Sequence, residues 1–136
     1  MTNAVTVWQY PKCSTCRKAL KWLEQHEVAA EIHDIVATPP TIAKLHDLLH
    51  RSGLPLSRFF NTSGESYRAG GFKERLKTMS EAEAIAALAA DGKLIKRPLI
   101  DAGHAVLVGF DEEAYGARFA AAGKAAAATK TAGTRT

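Results

Sequence analysis

Both cysteines of the chain, Cys13 and Cys16, lie in one stretch, Tyr10-Pro11-Lys12-Cys13-Ser14-Thr15-Cys16-Arg17-Lys18-Ala19. It falls where one periodicity gives way to another. Before it, Val5 and Val7 alternate with other residues and are followed by Trp8 and Tyr10, the pattern of a strand; after it, Cys16, Ala19, Leu20 and Leu23 recur at helical spacing. The prediction is a strand, a turn and a helix with a C-x-x-C at the junction. The first amides of a helix lack intrahelical acceptors and carry the positive end of its dipole, so a thiolate at Cys13 is stabilised there. In such settings thiol pKa values fall from about 8.5 to roughly 3.5–7.5, and Arg17 and Lys18 add positive charge. Cys16, one turn in, is placed to form a disulfide with Cys13.

A length of 136 residues suits one domain. Met1-Thr2-Asn3 carries no basic region of a secretory signal, and no run reaches the ~18 apolar residues of a membrane span. The chain is therefore expected to be soluble and cytoplasmic, without a membrane partner. Two cysteines at this spacing in such a protein read as redox chemistry or as part of a metal site, and a closed zinc site would need four ligands. The net charge of +4 invites a nucleic-acid reading, but the 14 basic and 14 acidic residues between Met1 and Gly116 cancel. The excess is Arg118, Lys124, Lys130 and Arg135, largely in the low-complexity stretch 120–136, whose composition predicts a solvated, disordered tail and no direct nucleic-acid binding.

After the first helix, Val28–Val36 reads as a second strand, completing a βαβ unit with a right-handed crossover. Thr38-Pro39-Pro40 stops it. Thr41 caps a helix with Ile42, Leu45, Leu48 and Leu49 that closes at Ser52-Gly53. A short helix or turn over Leu54–Phe60, a loop over Asn61–Gly64 and a helical piece over Tyr67–Leu76, broken at Gly70-Gly71, follow. Ser80-Glu81-Ala82-Glu83 is a capping box for a helix ending at Asp91-Gly92. Leu99–Asp101 and Ala105–Val108 then form a hairpin around Ala102-Gly103-His104, and Asp111-Glu112-Glu113 opens a last helix. The order βαβ, helical insertion, ββα, with the C-x-x-C at the first helix, points to an α/β thioredoxin-like fold with a mixed central sheet. The expected domain is 1–119, with the insertion at about 38–93.

Lys96-Arg97-Pro98 precedes the first hairpin strand. Proline at a strand start requires a bend, an edge position or a cis bond. In a thioredoxin-like architecture Arg97 would face the Cys13 sulfur and support a thiolate or bind an oxyanion; otherwise it is a surface arginine before a structural proline. His46 and His50 stand four apart in His46-Asp47-Leu48-Leu49-His50 without an evident third ligand, so a solvated polar face is expected and no metal site. Ser14 and Thr15 either line the thiolate loop or cap the helix. Trp8 and Trp22 are core or core-edge residues.

The first stretch, Lys96-Arg97-Pro98-Leu99-Ile100 and Val108-Gly109-Phe110, with the run Ser52–Tyr67, together resemble the arsenate reductase-like (ArsC/Spx) family of thioredoxin-like proteins over about residues 4–120. The resemblance implies a nucleophilic Cys13, a resolving Cys16 and an active-site Arg97 before a cis-proline at Pro98, with Ser14, Thr15, Arg17 and Pro98 around the substrate. Glutaredoxin-dependent arsenate reductases add two oxyanion-binding arginines, which align near Asn61 and Gly109 here; Arg58 and Arg68 are the candidates to replace one. The expected activity is thus a thiol oxidoreductase on a small oxyanion or disulfide, weak on arsenate, with no tightly bound cofactor. Glutathione with glutaredoxin, or thioredoxin, would be the external reductant. The alternative implied by the second cysteine is an Spx-type redox-switched regulator that binds the α subunit of RNA polymerase. A monomer is expected in either case.

Overall fold

The computed structural model describes residues 5–103 and 105–119. His104 of the expected hairpin turn and the stretch 120–136 lie outside the described residues. Strand β1 (Val5–Gln9), helix α1 (Ser14–Gln25) and strand β2 (Ala30–Asp34) form the first unit, with β1 and β2 parallel and Val5 opposite Ala30. β2 is shorter than the expected Val28–Val36. At its start the Val28 amide donates to Leu23 O, tying that residue to the end of α1. At its far end the Asp34 carboxylate accepts the amides of Val36 and Ala37, turning the chain out of the ladder.

Helices and turns occupy the chain from there to the next strand. α2 (Ile42–Ser52) starts at Thr41, whose hydroxyl accepts the Lys44 amide at 3.1 Å, and closes before Gly53. A 3-10 turn covers Leu56–Phe59. The helical piece expected over 67–76 is two short helices, α3 (Glu65–Ala69) and α4 (Phe72–Arg75), separated at Gly70-Gly71. α5 (Glu81–Ala90) carries a complete capping box: Ser80 Oγ accepts the Glu83 amide at 3.1 Å, and the Glu83 carboxylate accepts the Ser80 amide at 2.9 Å. A second 3-10 turn, Gly92–Leu94, leads out of it.

Strand β3 (Leu99–Asp101) pairs antiparallel with β1, and β4 (Val106–Val108) antiparallel with β3, giving a mixed sheet of order β2-β1-β3-β4. Helix α6 covers 112–119. This is the βαβ, helices, ββα arrangement of a thioredoxin-like fold.

Side chains alternate across a strand, so the central strands feed two cores. Val5, Val7 and Ile100 pack with Ala19, Trp22 and Leu23 of α1 and with Tyr115 and Phe119 of α6. Trp8 and Leu99 face the other way, against Leu45, Leu48 and Leu49 of α2 and Ile85 and Leu88 of α5. The Asp101 carboxylate ties α2 to the sheet, accepting Lys44 Nζ at 2.7 Å and Arg51 at 3.1 Å. Gly92 is pressed onto the chain just beyond β2: a Cβ there would lie 1.8 Å from Ile35 O. No described helix is long and apolar enough to cross a membrane.

Candidate active site

Cys13 is the N-cap residue of α1, with extended backbone (φ −96°, ψ 121°) and no capping bond from its side chain. Its amide donates to Tyr10 O at 3.0 Å and its carbonyl accepts the Arg17 amide at 3.1 Å, so Tyr10–Cys13 is a tight turn running into the helix. The first turn of α1 holds no acidic residue to oppose an anion.

The two sulfurs occupy unequal environments. Cys13 is half-buried, whereas Cys16 is fully buried and its Sγ accepts the Tyr10 amide at 3.4 Å. Burial alone would raise the Cys13 thiol. The Cys16 amide and thiol and the Arg97 guanidinium outweigh it and hold Cys13 below the ordinary thiol range. Burial pushes Cys16 up to about 12, and the neighbouring Cys13 sulfur disfavours its ionisation further. The first proton lost by the pair is therefore that of Cys13, while Cys16 keeps its own, and the Cys16 S–H then supports the thiolate.

Arg97, whose positive charge helps lower the Cys13 thiol, comes from a segment distant in sequence. The chain before it is held by the end of the first 3-10 turn and the residues after it: Lys96 N donates to Phe59 O at 2.8 Å, Phe60 bridges Ile95, and Asn61 N donates to Leu94 O at 2.7 Å. The guanidinium lies 5.0 Å from the Tyr10 ring centroid and donates to Lys93 O at 3.3 Å. The Arg97–Pro98 bond is cis, and Pro98 O accepts the Gly109 amide at 2.8 Å.

Other expected site residues are placed as follows. Ser14 and Thr15 are exposed in the first turn of α1, and neither caps it, because the N-cap position belongs to Cys13. Arg17 is exposed and donates to Pro11 O at 2.9 Å, bracing the loop rather than the sulfur. Arg68 is bound within the helical segment, to Ser63 O at 2.6 Å, and Arg58 is exposed on the first 3-10 turn. Asn61 and Gly109, the positions aligned with additional arginines, both hydrogen-bond the segment 94–98 that carries Arg97. Gly109 has φ 83°, and a Cβ there would meet Lys96 Cε at 3.3 Å. Sequence reasoning missed Tyr10, which contributes its amide to Cys16, its carbonyl to Cys13 and its ring to Arg97. A backbone contribution leaves no mark in residue type, although the aromatic ring beside the motif was a signal for a cation partner. An open groove of about 550 Å³ between α1 and β2, lined by Leu20, Leu23, Val28 and Ile32 among others, is lined by neither cysteine.

The sequence matches the ArsC family over residues 8–118. It is 51% identical to the uncharacterized protein YusI of Bacillus subtilis over 113 residues, 82% of this chain and 95% of that one. The global transcriptional regulator Spx of Streptococcus agalactiae is 29% identical over 110 residues, 80% of this chain and 78% of the regulator. The crystal structure of a possible arsenate reductase from Streptococcus mutans superposes with a TM-score of 0.75 at 44% identity, covering 79% of this chain and 92% of that one.

Proposed function

From the premise that the chain belongs to the ArsC family, we propose that it is a thiol oxidoreductase with Cys13 as nucleophile, Cys16 as resolving thiol and Arg97 as the cation supporting the reactive thiolate. The observation that carries this is the inequality of the two sulfurs. Cys13 is half-buried and held below its ordinary pKa beside Arg97, and Cys16 is buried with its proton retained. A nucleophile and a proton-bearing partner are what a two-step exchange requires.

In the first step the Cys13 thiolate attacks one sulfur of a small disulfide; the S–S bond breaks, a mixed disulfide forms and the other half leaves as thiolate. In the second, the Cys16 sulfur attacks Cys13 Sγ as its proton passes to the departing thiol, leaving a Cys13–Cys16 disulfide. An external dithiol or two thiols, such as glutathione with glutaredoxin, or thioredoxin, supply the two electrons and two protons that restore it. Ser14, Thr15, Arg17 and Pro98 would border the substrate. Arsenate is a poor fit, since Asn61 and Gly109 supply no guanidinium where the reductases carry one, and charge-assisted bonds are the strong contacts for such an anion. The reading places a monomer in the cytoplasm.

The similarity to Spx supports a second reading, in which the same disulfide forms without turnover and alters a surface that meets the RNA polymerase α subunit. A coupled assay with glutathione and glutaredoxin, or thioredoxin, decides between them, with arsenate and a small disulfide as substrates. The proposed function expects disulfide turnover that Cys13→Ser abolishes and little arsenate turnover. A Cys13–Cys16 disulfide that forms and reduces without turnover on either substrate refutes the enzyme reading.

A further inference from the structure

On the exposed surface of the insertion, α2 and α5 bring three side chains together. His46 and His50, one turn apart on α2, stack with ring centroids 4.3 Å apart and 29° between planes. Both point Nε2 at the same oxygen: His50 Nε2 lies 2.9 Å from Glu81 Oε2 and His46 Nε2 3.7 Å from it. Glu81 is the first residue of α5, and its backbone is held there by the Ser80–Glu83 capping box. The two helices are locked in register by Leu45, Leu48, Leu49, Ile85 and Leu88 beneath. The third ligand that the His46–His50 spacing lacked in the sequence is therefore supplied by Glu81.

We propose that His46, His50 and Glu81 bind a divalent metal ion of the zinc class, clamping α2 to α5. The three candidate ligand atoms lie within 4.8 Å of one another. Zinc bonds to nitrogen and oxygen of about 2.0–2.1 Å at tetrahedral angles require ligands roughly 3.3 Å apart, and the two measured edges of 2.9 and 3.7 Å straddle that value. Small side-chain adjustments complete the site. Two imidazoles and one carboxylate suit zinc, nickel, cobalt or copper, whereas magnesium and calcium take oxygen shells. Stacked on His50, His46 brings a second imidazole nitrogen to 3.7 Å from the oxygen that His50 approaches at 2.9 Å. The neighbouring charges do not compete for Glu81: Arg51 is engaged by Asp47 and Asp101. With half or so of each side chain exposed, water fills the remaining coordination position.

The test is titration of the reduced full-length protein with Zn²⁺ by calorimetry and with Co²⁺ by absorption, in the wild type and in His46→Ala, His50→Ala and Glu81→Gln. The expected result is one ion per chain, without a thiolate-to-cobalt charge-transfer band, weakened at least about tenfold by each histidine variant. Zn²⁺ should raise the wild-type melting temperature and not that of the variants. Because the side chains are exposed, the variants should keep the metal-free melting temperature; should a histidine variant not fold, Glu81→Gln carries the comparison by weakening Co²⁺ binding with the fold intact. Equal affinity in wild type and folded variants, binding accompanied only by the thiolate band, or no binding at millimolar Zn²⁺ overturns the proposal.

Discussion

Replacing Arg97 by methionine removes its charge while keeping a long side chain to lie against the Tyr10 ring. Hydrogen bonds to charged groups contribute about 1.5–3 kcal/mol in protected settings, and solvent beside the half-buried Cys13 sulfur reduces this to about 1 kcal/mol. That amounts to about a fivefold loss in the thiolate-to-thiol ratio at pH values where the thiol is mostly protonated. A more basic thiolate is also a better nucleophile, and with a Brønsted coefficient of about 0.4–0.5 the gain is about twofold. The variant should therefore react about 2.5-fold more slowly than wild type at pH values where the thiol is mostly protonated, and this deficit should narrow as the pH rises and both thiols ionise. The assay is the second-order rate of iodoacetamide alkylation from pH 4 to 9, with the modified residue identified by mass spectrometry. Cys16 does not interfere, being buried with its thiol pushed up to about 12. Superimposable profiles, or a variant whose deficit does not narrow as the pH rises, would refute the assignment of Arg97 as the cation acting on Cys13.

Cys16→Ser should leave Cys13 reactive but stall the reaction after one equivalent, accumulating a mixed disulfide detectable by intact mass; sustained turnover would remove Cys16 as resolving thiol. Gly92→Ala places a methyl 1.8 Å from the Ile35 carbonyl, a backbone group that cannot swing aside, and should cost about 3 kcal/mol in urea unfolding. For Asp101, burial alone would raise the carboxyl, but Arg51, Lys44 and the Gly103 amide hold it well below the usual carboxylate range. A carboxyl depressed in the folded state stabilises above its unfolded value of about 3.9, and that contribution is lost as pH falls toward the folded value. Asp101→Asn should thus lower stability by about 2 kcal/mol at pH 6, measured by urea unfolding, and by progressively less as the pH drops below 4.

The helix starts were legible because their determinants are neighbours in the chain. Thr41 and Ser80 accept amides three residues on, as their positions before apolar periodic runs indicated. The turn from β1 into α1 and the place of Cys13 at its head follow from the same local logic. β2 was read too long because apolar Val28 and Val36 extend the alternation, while the hydrogen bonds that bound the strand, from the Val28 amide to Leu23 O and from the Val36 amide to Asp34 Oδ1, compete with pairing only in the folded chain. Ser14 and Thr15 remained ambiguous between capping and lining for a similar reason: one residue of register decided it, and the cap fell to Cys13.

The sequence by itself determined that Cys13 stands at the head of α1, which residues alternate into the sheet and where the capped helices begin, since each depends on contacts within a few residues. Tertiary structure alone decided which distant groups meet. Arg97 came to lie over the Tyr10 ring, in the turn that leads to Cys13, because β3 pairs beside β1 and the segment before Pro98 is pinned at Phe59–Asn61. Glu81 came to His46 and His50 because α5 packs its apolar face on α2. Such meetings depend on how whole elements bury their apolar faces against one another, and that is a property of the packed chain rather than of any stretch of it.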